Sequence, residues 1–323
     1  MTLKITARIE TWPIAGTFVI AREARTEIAV VVVQVSDGTA TGRAECRPYQ
    51  RYGETPDGVL AQILATPLAS ADRDALAARL PPGAARNGLD CALWDFCAKR
   101  DGVPVWQSAG LAKPQPLTTA YTLSLGEPAA MAEAASRGDW PILKLKLGGD
   151  GDPERVRAVR RAAPAARLIV DANEAWRARN FDENMRACAA AGVELIEQPL
   201  PADADALLAS RARAVPVYAD ESIHIADELD RLADRYDGVN VKLDKAGGLS
   251  EALRLISEAR RRGFGVMAGS MVCTSLAAAP AMLAAQGADY VDLDGPLLIA
   301  RDREPGLVYS GALVAPPAPA LWG

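Results

Sequence analysis

The sequence predicts an α/β protein in which an eight-stranded TIM-type barrel follows a smaller α+β domain. From residue 117 onward, short apolar runs alternate with segments of helical composition, and the starts of the runs lie 22 to 26 residues apart. A strand, a helix of about ten residues and two turns fill that spacing. The predicted barrel strands are 117–125, 142–147, 168–173, 193–198, 215–222, 239–244, 264–270 and 290–295.

The chain before residue 117 lacks this rhythm. Its apolar patterns predict strands at 3–10 and 27–36 and helices at 61–80 and 84–100, which together indicate an α+β domain. We therefore expect this domain over residues 1–113 and the barrel over 114–304. The tail, 305–323, is rich in Pro and Ala, and we expect it to return to the first domain as an extended strap.

The composition narrows the classes of function. The chain has 323 residues, 50% of them hydrophobic, and a net charge of −5, so it has a full core and no excess basic charge for nucleic acid. Charges interrupt the first thirty residues and leave no apolar run for a signal peptide or a membrane span, which predicts a cytoplasmic protein. The single histidine, His224, excludes His-rich zinc sites and a Ser-His-Asp triad. Catalysis would have to use carboxylates, lysines or a metal.

Ionisable and polar side chains stand at the carboxyl ends of six predicted strands, where active sites of such barrels lie. In five strands they occur as pairs spaced i, i+2, which puts both side chains on one face. These residues are Lys144 and Lys146, Asp171 and Asn173, Asp220 and Ser222, Lys242 and Asp244, and Asp292 and Asp294, with Glu197 ending the sixth strand.

Three carboxylates predict a metal site. Asp171, Glu197 and Asp220 end three successive strands, so their side chains should converge. Clustered negative charges need a cation, and oxygen ligands without thiolate or imidazole favour Mg²⁺, with Mn²⁺ as its substitute. We expect one ion per subunit.

Two lysines predict proton transfer. Lys146 and Lys242 end strands four apart in a ring of eight and should face each other across the barrel mouth. A divalent cation and a neighbouring ammonium group, such as that of Lys144 beside Lys146, should lower a lysine pKa and make the amine a base. One lysine would remove a proton from carbon and the other would return it from the opposite face, which inverts the configuration.

These motifs together resemble the enolase superfamily, muconate-lactonizing subgroup. The resemblance rests on Lys144-Leu-Lys146, Asp171-Ala-Asn173, Glu197-Gln-Pro199, Asp220-Glu-Ser222 and Lys242-Leu-Asp-Lys-Ala-Gly-Gly248. It implies a modified (β/α)7β barrel with an N-terminal capping domain, and a 1,1-proton transfer through a metal-stabilised enolate. Lys144, Asn173 and Glu221 would support the site, Glu221 without binding the metal.

Within the subgroup the chain resembles the dipeptide epimerases. Asp292-Leu-Asp294 is similar to their DxD signature, whose acids hold the substrate ammonium, and Arg25 matches the position that pairs with a glutamate side chain. Segments 18–27 and 51–54 resemble loops that close over the substrate, although Glu23 could weaken the pull of Arg25. The resemblance implies inversion of the C-terminal residue of a dipeptide such as L-Ala-D/L-Glu in cell-wall peptide turnover.

Other functions stay open at this point. An N-acyl amino acid racemase, an o-succinylbenzoate synthase or a cycloisomerase would use the same scaffold, but their substrates lack the ammonium that the DxD acids would hold. A non-catalytic barrel would be expected to lack a base or a ligand. A nicotinamide-dependent enzyme is disfavoured because no GxGxxG follows an early strand. We expect a small-molecule partner, no nucleic acid and no membrane, and leave homo-oligomerisation open.

Overall fold

The computed structural model describes residues 3–323. Its N-terminal domain is a three-stranded antiparallel sheet in the order β1-β2-β3, covered by helices. The elements are β1 (Lys4–Ile20), β2 (Glu23–Ser36), β3 (Thr41–Cys46), a 3₁₀ turn (Gln50–Tyr52), α1 (Pro56–Leu64), α2 (Arg73–Arg79), α3 (Ala84–Asp101) and α4 (Val105–Ser108). Helix α3 lies so close to β3 that a Cβ at Gly42 would stand 2.2 Å from the carbonyl oxygen of Ala92. Only glycine fits there.

Two of the predictions for this domain need correction. The segment 18–27 is not a loop, because Phe18 pairs with Arg25 and Ile20 with Glu23, so β1 and β2 form one long hairpin with its tip at residues 21–22. The predicted helix 61–80 is two helices, since Pro67 follows α1 and cannot continue it.

The second domain is the predicted barrel, with eight parallel strands in sequential order. The strands are β5 (Tyr121–Leu123), β6 (Ile142–Lys146), β7 (Arg167–Asp171), β8 (Val193–Glu197), β9 (Val217–Ala219), β10 (Gly238–Lys242), β11 (Gly265–Gly269) and β12 (Tyr290–Asp292). The amide of Ala120 donates to the carbonyl of Val291 at 2.8 Å and brings the first and last strands together. The predicted fold class is confirmed.

Helical segments connect successive barrel strands. The α-helices are α5 (Pro128–Ala135), α6 (Asp152–Ala162), α7 (Phe181–Ala190), α8 (Leu243–Ala246), α9 (Leu249–Arg261) and α10 (Ser275–Ala284). The connections also contain 3₁₀ segments at Asp205–Ser210, Ala226–Leu232 and Ala285–Gly287, and a further 3₁₀ segment, Gly295–Leu297, follows β12. The crossovers after β8 and β9 are therefore 3₁₀ and not α-helical. Across residues 3–323, no helix combines the length and the apolar character needed to span a membrane.

The predicted first barrel strand, 117–125, is divided in the structure. Only β5 joins the barrel, whereas β4 (Leu117–Thr118) pairs with β14 (Leu313–Val314) of the tail, which also pairs with β13 (Tyr309–Ser310). The end of the tail contacts α3, because the Trp322 indole donates to the carbonyl of Cys91 at 3.1 Å. The tail thus touches both domains, and the domain boundaries themselves stay a prediction.

The interior of the barrel is filled by side chains, which leaves the carboxyl ends of the strands as the place for a site. One layer consists of Ala120, Ile142, Ile169, Leu195, Tyr218 and Met267, all buried. The strand ends above this layer face the hairpin of the N-terminal domain, so polar groups there lie between the two domains.

Candidate active site

Three carboxylates meet at the ends of adjacent strands. Asp171 and Glu197 are the last residues of β7 and β8, and Asp220 directly follows β9. One oxygen from each lies within 4.8 Å of the others, and all three side chains are buried. Buried carboxylates at this spacing repel one another unless a cation lies between or beside them. Oxygen ligands in this number suit a hard ion such as Mg²⁺, so the residues present fit the predicted cofactor.

Lysine ammonium groups surround this acidic trio. Lys146 Nζ lies 2.6 Å from Asp171 Oδ2, and Lys242 Nζ lies 2.7 Å from Asp220 Oδ2. Because β6 and β10 are four strands apart, the two lysines approach the trio from different sides of the barrel, and both line the cleft above it. The arrangement can take a proton from one side of a bound carbon and deliver one from the other.

Lys144 connects the trio to the end of β12. Its Nζ donates to Asp292 Oδ2 at 2.6 Å and lies 2.6 Å from Glu197 Oε2, in an alignment too poor for a hydrogen bond with the glutamate. Burial alone would lower the pKa of Lys144, but Asp292, Glu197 and Asp171 outweigh it and raise the pKa well above its ordinary value.

The predicted lowering of a lysine pKa depends on a divalent cation beside the amine and stays a prediction. Burial favours the neutral amine, but Asp220, Glu197 and Asp171 together raise the pKa of Lys242 well above its ordinary value. The barrel places three carboxylates around this ammonium group, and a cation held by them would counter their effect on its pKa.

Two further residues in the site were missed by the sequence argument. Lys245, which is 1% exposed, donates to Asp220 Oδ1 and to the Asp220 carbonyl, both at 2.5 Å. Asn240 donates to Glu197 Oε1 at 2.6 Å. Both orient members of the trio. Lys245 belongs to the motif 242–248. The sequence of this motif does not show that α8 directs the Lys245 side chain toward Asp220.

Asp292 and Asp294 lie at the end of the cleft near β12. Asp292 bonds Lys144 through Oδ2, while its buried Oδ1 has no partner among the described residues. Asp294 Oδ2 accepts the amide of Thr122 at 2.6 Å. Burial, followed by the charge of Asp292, raises the pKa of Asp294 to about 7. Such a pair favours a cationic group of a ligand.

The tip of the β1–β2 hairpin is bound to the barrel by ion pairs. Arg22 donates to the Asn173 carbonyl at 2.8 Å and pairs with Glu174 and Glu221 at 2.9 and 2.7 Å. Arg51, in the second predicted closing segment, pairs with Glu174 at 2.8 Å. Both segments are therefore held against the barrel, although only the hairpin lines the cleft. Glu221 pairs with an arginine and is not part of the acidic trio.

The supporting residues differ in their roles. The amide of Asn173 donates to Asp171 Oδ1 at 2.9 Å and orients that carboxylate. Asn173 has a φ of 43°, in the left-handed region, which turns the loop after β7 toward the hairpin tip. Burial, followed by the charges of Asp220 and Asp171, raises the pKa of Glu221 to about 8.

The cleft lies between the N-terminal domain and the carboxyl ends of the barrel strands. Its lining residues are Phe18, Ile20, Arg22, Glu23, Arg47 and Tyr49 from the N-terminal domain, and Thr122, Lys146, Asn173, Asp220, Glu221, Lys242, Ser270, Met271, Val272, Asp292, Asp294 and Leu298 from the barrel. Arg25 does not line it and instead pairs with Glu23 at 2.5 Å. The assignment of Arg25 to substrate binding stays a prediction, and Arg47 was not anticipated.

A capped barrel with an acidic trio between two lysines defines the enolase-type class of protein. Residues 127–319 match the family described as enolase C-terminal domain-like. Residues 2–110 match the mandelate racemase / muconate lactonizing enzyme N-terminal domain. The chain therefore belongs to the mandelate racemase / muconate lactonizing enzyme family, which confirms the resemblance found in the sequence.

Individual relatives are more specific. The chain is 44% identical to the L-Ala-D/L-Glu epimerase of Escherichia coli (strain K12), over 93% of this chain and 96% of the relative. It is 43% identical to the N-acetyl-D-glutamate racemase of Pseudoalteromonas sp, over 91% and 95% of the two chains. A crystal structure of an enolase family member from Agrobacterium tumefaciens, with bound sodium and L-Ala-L-Glu, matches with a TM-score of 0.97 and 49% identity, over 99% of this chain and all of that one.

Proposed function

We propose that this chain is a Mg²⁺-dependent isomerase, an epimerase that inverts the α-carbon of the C-terminal residue of a dipeptide, with L-Ala-D/L-Glu as the substrate. One observation carries the proposal: a single cleft contains two lysines on different sides of an acidic trio and a buried acid pair at one end. The two lysines beside the trio suit proton transfer at carbon, and the acid pair suits the binding of an ammonium group. The similarity to the Escherichia coli epimerase supports the same activity.

Asp171, Glu197 and Asp220 are the residues that would hold Mg²⁺. When bound, the ion stabilises the negative charge that grows on the substrate α-carboxylate as the neighbouring C–H bond is broken, and it offsets the carboxylates that surround the lysines. Lys245, Asn240 and the amide of Asn173 keep the three carboxylates in place by hydrogen bonds.

The chain's own part in the reaction is the movement of one proton. The amine of Lys146 or Lys242 takes the proton from the α-carbon of the epimer that faces it. The ammonium group of the other lysine then donates a proton to the opposite face of the same carbon. Because the two lysines belong to strands four apart, the carbon lies between them and its configuration is inverted.

The acid pair would hold the free amino group of the dipeptide. Asp292 offers a buried oxygen that has no partner among the described residues, and Asp294 lies beside it in the same cleft. Removing an ionised oxygen from water is costly unless a cation or donors replace the water. A substrate ammonium supplies both.

N-acyl amino acid racemisation is the second candidate, favoured by the 43% identity to an N-acetyl-D-glutamate racemase. It would use the same trio and the same lysines. An N-acylated substrate has no ammonium, however, and would leave Asp292 Oδ1 without a charged partner. The acid pair therefore favours the dipeptide.

Solvent deuterium exchange tests the proposal. With Mg²⁺ present, L-Ala-L-Glu and L-Ala-D-Glu should each gain deuterium at the α-carbon of the glutamate residue while the two epimers interconvert, as followed by proton NMR. Chelation should stop both processes, and Asp220→Asn should weaken Mg²⁺ binding in calorimetry, with Asp182→Asn on the surface as the control. Exchange in N-acetylglutamate but in no dipeptide would contradict the proposal and favour the second candidate.

The setting of the reaction is part of the proposal. We infer that the enzyme works in the cytoplasm on peptides released in cell-wall turnover, and the Ala-Glu dipeptide in the name of the related Escherichia coli epimerase supports this setting.

A further inference from the structure

Arg47 is a buried arginine without a carboxylate partner. It directly follows β3, is 5% exposed and lines the cleft. Its side chain makes one hydrogen bond, from NH1 to the Val272 carbonyl at 2.8 Å, and no carboxylate oxygen of residues 3–323 lies within 4.0 Å of it. A buried charge without a counter-ion is costly, so a guanidinium in this position suits an anion that enters the cleft.

The other arginines near the hairpin tip already have partners. Arg25 pairs with Glu23 at 2.5 Å, and Arg22 and Arg51 both pair with Glu174. Their positive charges are therefore largely balanced by carboxylates of the chain itself. Arg25 keeps a buried Nε without a hydrogen-bond partner among the described residues, but it does not line the cleft. Arg47 lines the cleft and has no carboxylate partner among the described residues.

The proposed substrate leaves one wall of the cleft for its side chain. Its α-carboxylate would lie toward the acidic trio, and its ammonium toward the acids after β12. The side chain on the α-carbon is then directed toward the N-terminal domain and the loop after β11. Arg47 joins these two parts, because it belongs to the domain and donates to the carbonyl of Val272 in the loop.

We propose that Arg47 is a specificity-determining residue, which pairs through its guanidinium with the side-chain carboxylate of the residue that is epimerised. The inference rests on the proposed dipeptide epimerase function. Arginine offers two parallel N–H donors that match a carboxylate, so the pairing selects an acidic side chain over a neutral one of the same shape. Burial, followed by the charge of Arg25, lowers the pKa of Arg47, and an incoming anion offsets both effects.

The test compares two dipeptides that differ only in charge. In Arg47→Met, kcat/KM for L-Ala-L-Glu should fall by about 10- to 100-fold, as expected for loss of a charge-assisted pair, while kcat/KM for L-Ala-L-Gln should change by less than about 3-fold. Arg79→Met is the matched control, because Arg79 also donates to one backbone carbonyl of the N-terminal domain but lies on the surface. Arg79→Met should leave the ratio of the kcat/KM values for the two dipeptides unchanged.

An equal loss for both dipeptides in Arg47→Met would overturn the inference and reduce Arg47 to a structural contact with the β11 loop. If Arg25→Met, but not Arg47→Met, changed the ratio of kcat/KM for L-Ala-L-Glu to that for L-Ala-L-Gln, the inference would be overturned and Arg25 would be the specificity-determining residue. If Arg47→Met does not fold, Arg47→Lys should still lower kcat/KM for L-Ala-L-Glu more than for L-Ala-L-Gln, and an equal change would again count against the inference.

Binding separates this inference from the proposed function. Calorimetry should show that Arg47→Met loses affinity for L-Ala-L-Glu but not for L-Ala-L-Gln, whether or not turnover occurs. A wild-type protein that exchanges no α-proton of either dipeptide but retains this difference in binding would refute the epimerase activity and keep the role of Arg47. Equal affinities of the wild-type protein for both would refute the role of Arg47.

Discussion

At the scale of single residues, the site is a balance of buried charges. Four ammonium groups face four carboxylates within hydrogen-bonding or ion-pair distance: Lys144, Lys146, Lys242 and Lys245 against Asp171, Glu197, Asp220 and Asp292. A divalent cation added to this balanced set makes the site positive, which favours an anionic substrate. The charges therefore explain together why a carboxylate ligand suits the cleft.

The roles of the two lysines should be distinguishable by the configuration of the substrate α-carbon. We expect Lys146→Ala and Lys242→Ala each to abolish epimerisation, because one of the two proton-transfer groups is lost. Each variant should still exchange the α-proton of the epimer that faces its remaining lysine. Proton NMR in D₂O, started from L-Ala-L-Glu and from L-Ala-D-Glu, measures this. Equal loss of exchange from both epimers in both variants, with Mg²⁺ still bound, would rule out the two-lysine assignment.

Asp294 should make substrate binding depend on pH. Its pKa of about 7 means that the carboxyl is neutral below pH 7 and charged above it. KM for L-Ala-L-Glu should therefore fall as the pH rises from 6 to about 7.5, a range in which the substrate ammonium keeps most of its charge. Asp294→Asn should raise KM by about 10- to 100-fold and remove the pH step. A variant with unchanged KM would show that the acid does not contact the ammonium.

The same pKa shift has a consequence for stability. A carboxyl whose pKa is raised in the folded state is protonated there more readily than in the unfolded chain, so its contribution to stability is present below pH 4 and is lost as the pH rises to about 7. Asp294→Asn should consequently lose less thermal stability than the wild-type protein between pH 4 and 8.

At the scale of elements, the β1–β2 hairpin covers the barrel mouth and Glu174 attaches it there. Glu174 accepts hydrogen bonds from Arg22 and Arg51 and from the amide of Ala202. It has a φ of 66°, and it follows Asn173, whose amide bonds the carboxylate of Asp171. The loop after β7 therefore connects the covering hairpin directly to the acidic trio.

Loss of this attachment should open the cleft. In Glu174→Gln we expect faster hydrogen exchange and easier proteolysis at residues 20–23, because Arg51 loses its ion pair and Arg22 keeps only the one with Glu221. We also expect kcat/KM to fall roughly tenfold, since both arginines are partly exposed and water screens part of the interaction. Glu183→Gln, on the exposed face of α7, serves as the control. Unchanged exchange at the hairpin tip would mean that packing of Phe18 and Ile20 holds it closed without the ion pairs.

At the scale of the whole molecule, the tail joins the two domains. After β14 has paired with β4, the chain end reaches α3, where Trp322 is 1% exposed. The backbone oxygen of Leu321 accepts a hydrogen bond from Nε of Arg43, a residue of β3, at 3.1 Å. The last residues thus belong to the packing of the N-terminal domain, although they follow the barrel in sequence.

Trp322→Ala should destabilise the protein by about 3–5 kcal/mol, because it removes a large buried side chain together with its hydrogen bond to the Cys91 carbonyl. Urea and thermal unfolding measure this. Leu313→Ala, at a side chain that is 45% exposed, should stay within about 0.5 kcal/mol of the wild-type protein. A similar small effect for Trp322→Ala would show that the tail is not needed for the stability of the domain.

The sequence by itself determined the barrel and the polar groups at its mouth. Strand periodicity places alternate residues on one face, and parallel strands end at the same edge, so Lys146, Asp171, Glu197, Asp220 and Lys242 could be brought together from spacing alone. The long hairpin, by contrast, was predicted as a loop, because residues 18–27 resemble a segment that closes over the substrate in the dipeptide epimerases.

Only the tertiary structure decided how the N-terminal domain completes the site. Arg22 and Glu174 are 152 positions apart in the sequence, and Arg47 is 225 positions from Val272, whose carbonyl it contacts. Contacts of this separation depend on how two separately packed domains dock, and no local pattern encodes that geometry. The charge left unpaired on Arg47, and the pairing of Arg25 with Glu23, appear only once the domains are in contact, because the partner of a charged side chain is set by distance in space and not by its position along the chain.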